Sequence, residues 1–211
     1  MYFYKRNLPH WHPPNAEFFI TFRLADSLPK SAIVKLKLLQ ESLKNSNVEA
    51  EKIQRAIFYK YEDLLDGAEY GPQWLSQNAF ANIIADSIMY RNNKEYDLYC
   101  FCIMSNHVHL VFKMYELVEY DKAIFNQPTP LTKVLKELKR YTANEANKIL
   151  GRRGQFWQHE SYDRVIRNNK ELERTIRYTL NNPVKAGLIK HWQDWEFSYC
   201  KTEFKSLFEY E

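Results

Sequence analysis

A chain of 211 residues with 45% hydrophobic and 27% charged residues, 5 glycines and 8 prolines can build one packed core; it is neither fibrous nor of low complexity. The opening Met-Tyr-Phe-Tyr-Lys-Arg-Asn lacks the apolar core of a secretion signal, and no stretch has the apolar length of a bilayer span, so a cytoplasmic protein without a membrane partner is expected. The net charge of +4 is concentrated: Leu131 to Lys190 holds fourteen Lys/Arg against six Asp/Glu, a net +8 that leaves −4 elsewhere, which suits a polyanionic partner as well as it suits a solvated helix face.

Glu17 to Leu24, aromatic and β-branched, predicts a first strand. After Pro29 the apolar spacing predicts a helix over 31–47, and a second amphipathic stretch runs through Ile53, Ile57 and Tyr61 beyond polar Asn45-Ser46-Asn47. These residues are read as a helical insertion around 30–66 within a single domain spanning 1–211. Phe80, Ile83, Ile84, Ile88 and Met89 mark a further helix ending near Arg91-Asn92-Asn93. Tyr96–Met104 and His107–Met114 then read as an antiparallel hairpin, because Ser105-Asn106 is too short for a crossover.

Leu131–Ile149 predicts a basic amphipathic helix with Val134, Leu135, Leu138 and Tyr141 inward, stopped by Gly151-Arg152-Arg153-Gly154. Phe156–Ile166 is strand-like. Glu171–Asn181 forms the last strong helix, capped by Asn168 or Asn169, with Pro183 fixing its end. The order implies an α+β protein: a ferredoxin-like antiparallel sheet flanked by helices. Cys100, Cys102 and Cys200 are odd in number and read as reduced and structural. A Cys-x-Cys metal site is disfavoured because no second pair completes it.

His107 and His109, two apart in a strand, project from one face, while Val108, Leu110 and Phe112 project from the other. An isolated His-x-His pair is more often two hydrogen-bonded imidazoles than half of a metal site. Downstream, Tyr178 and Asn182 are four apart, so a helix reaching Asn182 presents both on one face, although a residue before proline is pushed off the helical region. A phenol and a carboxamide facing two imidazoles provide a nucleophile and a third ligand for a divalent ion on a phosphodiester. That spacing ranks Tyr178 above Tyr162 and Tyr141 as nucleophile.

Ile103-Met-Ser-Asn-His-Val-His-Leu-Val111, Phe156-Trp-Gln158, Tyr162-Asp-Arg-Val-Ile-Arg167, and Tyr178 followed by Asn182-Pro-Val-Lys-Ala-Gly-Leu188 together resemble the REP-associated tyrosine transposases, of the single-tyrosine His-hydrophobic-His transposase superfamily. Leu8-Pro-His-Trp11, Phe18–Pro29 and Tyr70-Gly-Pro-Gln-Trp-Leu75 fit the same pattern, so the resemblance covers nearly the whole chain. Ser105 departs from it, standing where relatives usually have proline, and the segment from Lys30 to Asp66 carries no matching motif.

The resemblance implies a HUH-type endonuclease that nicks and rejoins single-stranded DNA at repeat hairpins. Tyr178 would form a 5′-phosphotyrosine and free a 3′-hydroxyl, on Mg2+ or Mn2+ held by His107, His109 and Asn182. Lys139, Arg140, Arg152, Arg153, Arg164, Arg167, Arg174 and Arg177 are candidate phosphate contacts. Trp157, with Phe156 and Trp11, is a candidate for stacking on bases, although aromatics in strands are more often core. The alternatives are a non-catalytic hairpin-binding protein and a metal-dependent phosphodiesterase that uses water. Relatives include monomers and homodimers that exchange the tyrosine helix, and a monomer is the favoured expectation.

Overall fold

Alternation along the strands decides which helices cover which face of the sheet. The computed structural model describes residues 2–5, 9–13, 15–44, 50–67, 70–115 and 129–209; Asn45-Ser46-Asn47, expected to separate two helices, lies outside them. A ribbon of β1 (Tyr2–Lys5) and β2 (Pro9–His12) precedes β3 (Glu17–Arg23). Helices α1 (Lys30–Lys44) and α2 (Ala50–Asp66) follow, then α3 (Asn78–Arg91) and the hairpin β4 (Tyr96–Ile103) and β5 (His107–Met114). The chain continues through α4 (Pro130–Ile149), β6 (Tyr162–Ile166), α5 (Asn169–Leu180), the short α6 (Asn182–Lys185) and β7 (Ser198–Cys200).

The main sheet has the order β6-β3-β5-β4-β7 with every pairing antiparallel. Without its edge strand β7, this is the ferredoxin-like order, so the α+β expectation holds. Phe18, Ile20 and Phe22 of β3 and Val108, Leu110 and Phe112 of β5 share one core with Ile84 and Ile88 of α3 and Leu131, Val134, Leu135 and Leu138 of α4. On the other face Phe19, Val111 and Ile166 pack on Leu172, Ile176 and Leu180 of α5. Each fully buried side chain of this kind contributes about 1.5–3 kcal/mol of transfer free energy.

Local sequence sets the ends. Asn168 caps α5, its side chain accepting from the Glu171 N–H at 2.9 Å, and Thr129 caps α4 ahead of Pro130. The Ser105-Asn106 turn is braced from outside: Leu24 N–H donates to Asn106 O at 2.8 Å and Leu75 N–H to Ser105 O at 3.0 Å. These bonds hold the turn without the proline expected from relatives.

Two expectations are corrected, and the position of Asn182 is settled. Tyr141 is 52% exposed, and Thr142 takes the inward position because its hydroxyl donates to Leu138 O and accepts from Trp157 Nε1, each at 2.8 Å. Phe156–Ile166 is not one strand: Trp157 forms an isolated bridge with Leu24, and β6 starts at Tyr162. Asn182 does not extend α5, which ends at Leu180; it opens α6, with Pro183 in the first turn where its missing N–H costs nothing. All three cysteines are buried and free, although Cys100 and Cys200 are register partners.

Candidate metal and nucleophile site

The face of β5 opposite Val108 and Leu110 carries both imidazoles, and both are buried. Their Nε2 atoms lie 3.0 Å apart. Each ring is fixed from behind: His107 Nδ1 is 2.7 Å from Asn106 Oδ1, and His109 Nδ1 is 3.0 Å from the hydroxyl of Thr21, its register partner on β3. Holding Nδ1 this way turns Nε2 inward, which is how outer partners orient imidazole ligands.

Helix α5 and its junction with α6 close the site. Tyr178 packs edge-on to His109, with ring centroids 5.6 Å apart, and to Phe19 at 6.0 Å. Asn182 is buried, its Nδ2 3.1 Å from His109 Nε2. Tyr178, His107, His109 and Asn182 therefore meet within one subunit. Tyr162 lies on β6 beside Thr21, and Tyr141 is on α4, across the sheet.

The structure adds two residues that sequence reasoning missed. Glu62 and Asp66, one turn apart on α2, reach the same place: Glu62 Oε2 is 3.3 Å from His109 Nε2 and accepts the Tyr178 hydroxyl hydrogen at 2.8 Å, and Asp66 Oδ1 is 3.7 Å from His107 Nε2. The one available signal was the i,i+4 pair of acids on an amphipathic helix, a pattern common on solvated faces. Lys185 of α6 bridges Asp63 and Asp66 at 2.9 Å each, tying α2 to the end of α5.

Burial dominates the electrostatics. It lowers His107 to about 3 and His109 well below its ordinary value, so both rings are neutral and their lone pairs can bind a metal. Burial raises Glu62 to about 8, and raises Asp66 as well. Tyr178 is raised too, first by burial and then by the charges of Glu62 and Asp66, which makes the phenol a reluctant nucleophile among these protein groups alone. A bound dication acts in the opposite direction on each of them.

A divalent cation fits these residues. One donor atom each from Glu62, Asp66, His107 and His109 lie within 4.8 Å of one another, and Glu62 Oε1 and Asn182 Oδ1 are buried without a hydrogen-bond partner. Mixed imidazole and oxygen donors suit Mn2+, Mg2+ or Zn2+.

The expected nucleic-acid contacts divide. Arg164 and Arg174 line a cleft of about 70 Å³ beside Tyr178, together with Phe19, Tyr59, Glu171 and Thr175; Arg164 also pairs with Glu171 at 3.1 Å. Arg152, Arg153 and Arg167 are exposed, and Arg177 packs over Phe208. Arg140 lines a separate cavity between α3 and α4, on the other side of the sheet. Lys139 is committed to the fold, donating to Gln158 O, His159 O and Ser161 Oγ at 2.7–3.0 Å. Trp157 and Phe156 are core residues rather than stacking platforms: Trp157 is 4% exposed and packs edge-on to Phe22 at 4.8 Å.

Over 112 residues, half of this chain, the sequence is 27% identical to a Haemophilus influenzae protein named "Putative REP-associated tyrosine transposase", and over 43 residues it is 40% identical to the Escherichia coli REP-associated tyrosine transposase. Both relatives carry the name of the group whose motifs this sequence resembles. The aligned segments cover 59% and 26% of those two relatives. A REP-associated tyrosine transposase solved bound to a REP hairpin shares the fold, with a TM-score of 0.50 at 16% identity over 94% of this chain and 82% of that one. No family model matches. Among the described residues no helix is long and apolar enough to cross a membrane.

Proposed function

We propose that this relative of the REP-associated transposases nicks and rejoins single-stranded DNA beside repeat hairpins through a 5′-phosphotyrosine on Tyr178. In this reading His107, His109 and Asn182 hold a divalent cation, Mg2+ or Mn2+. One observation carries it: a phenol, two imidazoles and a carboxamide from separate stretches of sequence converge in one subunit, with Glu62 Oε2 between Tyr178 and His109. The hairpin-bound structural relative and the names of the two sequence relatives supply the substrate class.

The Tyr178 oxygen bonds to phosphorus as the P–O3′ bond breaks, the phenolic hydrogen ends on the released 3′ oxygen, and the phosphoryl group stays on the protein. Attack by a 3′-hydroxyl reverses the same exchange and restores the phenol. Glu62 Oε2 already holds that hydrogen, which aims the phenolic oxygen and defines where its proton first goes. When bound, the cation supplies polarisation of the phosphoryl oxygen and stabilises charge in the transition state. Arg164 and Arg174 flank the nucleophile and fit contacts to neighbouring phosphates, giving affinity without sequence preference. The donors come from one chain, which supports reading the active form as a monomer with α5 not exchanged.

Labelled single strands carrying a hairpin, incubated with Mn2+ or Mg2+, test this. The wild type should yield a covalent protein–DNA adduct and Tyr178→Phe none. An adduct that survives the substitution removes Tyr178 from the reaction. Metal-dependent cleavage by the wild type without any adduct points to a phosphodiesterase that uses water.

A further inference from the structure

The unmatched insertion brings two carboxylates into a buried place that already holds two imidazoles and a carboxamide. Glu62 is fully buried, and among the described residues it makes no ion pair with lysine or arginine. Its two oxygens are used differently: Oε2 accepts from Tyr178, while Oε1 is buried with no partner. Asp66 Oδ1 is likewise buried without a hydrogen bond, facing His107 Nε2 at 3.7 Å, while Asp66 Oδ2 takes Lys185. Buried carboxylate oxygens without partners are costly, and either protonation or a coordinated cation removes that cost.

We infer that helix α2 completes the metal centre, with Glu62 and Asp66 ligating the cation alongside His107 and His109. The inference rests on the metal-dependent reading of the site and deepens it. Two carboxylates neutralise a dication and supply hard oxygen donors, favouring Mn2+ or Mg2+ over an ion bound by imidazoles alone. Counting Asn182, five donors from three elements would surround the ion. Glu62 also joins the two halves of the chemistry: Oε2, which accepts the Tyr178 hydroxyl hydrogen at 2.8 Å, is also the oxygen 3.3 Å from His109 Nε2. The insertion is then part of the catalytic apparatus, held in place by Lys185 on one side and by Arg23 Nε, which donates to Tyr61 Oη at 3.1 Å, on the other.

Mn2+ affinity, measured by calorimetry and by loss of the free-ion EPR signal, tests this on the full chain. The variants are Glu62→Gln, Asp66→Asn, the pair together, Asn182→Ala, and His107→Ala with His109→Ala. Each carboxylate variant should weaken Mn2+ by about tenfold or more, and the pair should approach the histidine double variant. Anomalous density from a Mn2+-soaked wild-type crystal, at ligand distance from both carboxylates, makes the test independent of variant folding. Wild-type affinity in the carboxylate pair, or a soaked ion held by the histidines away from α2, overturns the inference and leaves the tyrosine reaction standing. Carboxylate-dependent Mn2+ binding without any DNA adduct does the reverse.

Discussion

Tyr178 donates its hydroxyl hydrogen to Glu62 across 116 positions of sequence, at 2.8 Å. This bond joins the last long helix of the fold to α2, directly above a pair of buried histidines. Replacing the carboxylate with a carboxamide of the same shape keeps an acceptor for the phenol but takes away the base that receives its proton. Glu62→Gln is expected to lower the rate of adduct formation by about 10²-fold or more, the size typical of a missing proton acceptor, with hairpin affinity unchanged. Single-turnover kinetics beside a filter-binding isotherm checks both.

Binding and chemistry should separate at the histidines. With His107→Ala and His109→Ala together, cleavage is expected to vanish, while the salt-sensitive part of DNA affinity remains because Arg152, Arg153, Arg167 and Arg174 are untouched. The slope of log affinity against log salt should match the wild type. Arg153→Ala with Arg174→Ala should instead reduce that slope by up to about 2, one for each phosphate left without its arginine.

Trp157 should behave as a core residue. Its ring fills the space against Phe22 and Phe156, and its Nε1 donates to Thr142. Trp157→Ala is expected to cost about 3–5 kcal/mol of stability, seen in denaturant unfolding, without altering the salt slope of DNA binding at temperatures where the variant is folded.

Gly71 is a position where side chains are excluded. Its φ is +76°, and a Cβ would stand 2.3 Å from the carbonyl oxygen of Asp26. Gly71→Ala should lower stability by more than about 1 kcal/mol, because the backbone must move as well as strain. By contrast, Asn168→Ala removes a cap from α5 and should cost about 1 kcal/mol. Thermal melts of the two variants side by side give the comparison.

The strand alternation of His107 and His109, and the i,i+4 spacing of Tyr178 and Asn182, were legible because both depend on local geometry alone. The β4–β5 pairing was legible for the same reason: a two-residue turn at Ser105-Asn106 forces it. Glu62 and Asp66 were not legible, since their partners lie at positions 107, 109 and 178 and a surface helix shows the same acidic spacing. Asn182 was half legible; Pro183 signalled the end of α5, but not that a new turn of helix would start there and keep the carboxamide at His109. Trp157 and Lys139 drew attention by residue type, yet their bonds to Thr142 and to the 158–161 segment turn them inward to the fold.

Mapping the covalent adduct by mass spectrometry, after trapping the wild type on a hairpin-bearing strand with Mn2+, decides which group is the nucleophile. A phosphonucleotide carried by the phenolic oxygen of Tyr178 is the expected product. Attachment to Tyr162 or to any other tyrosine, or cleaved DNA with unmodified protein, would contradict it.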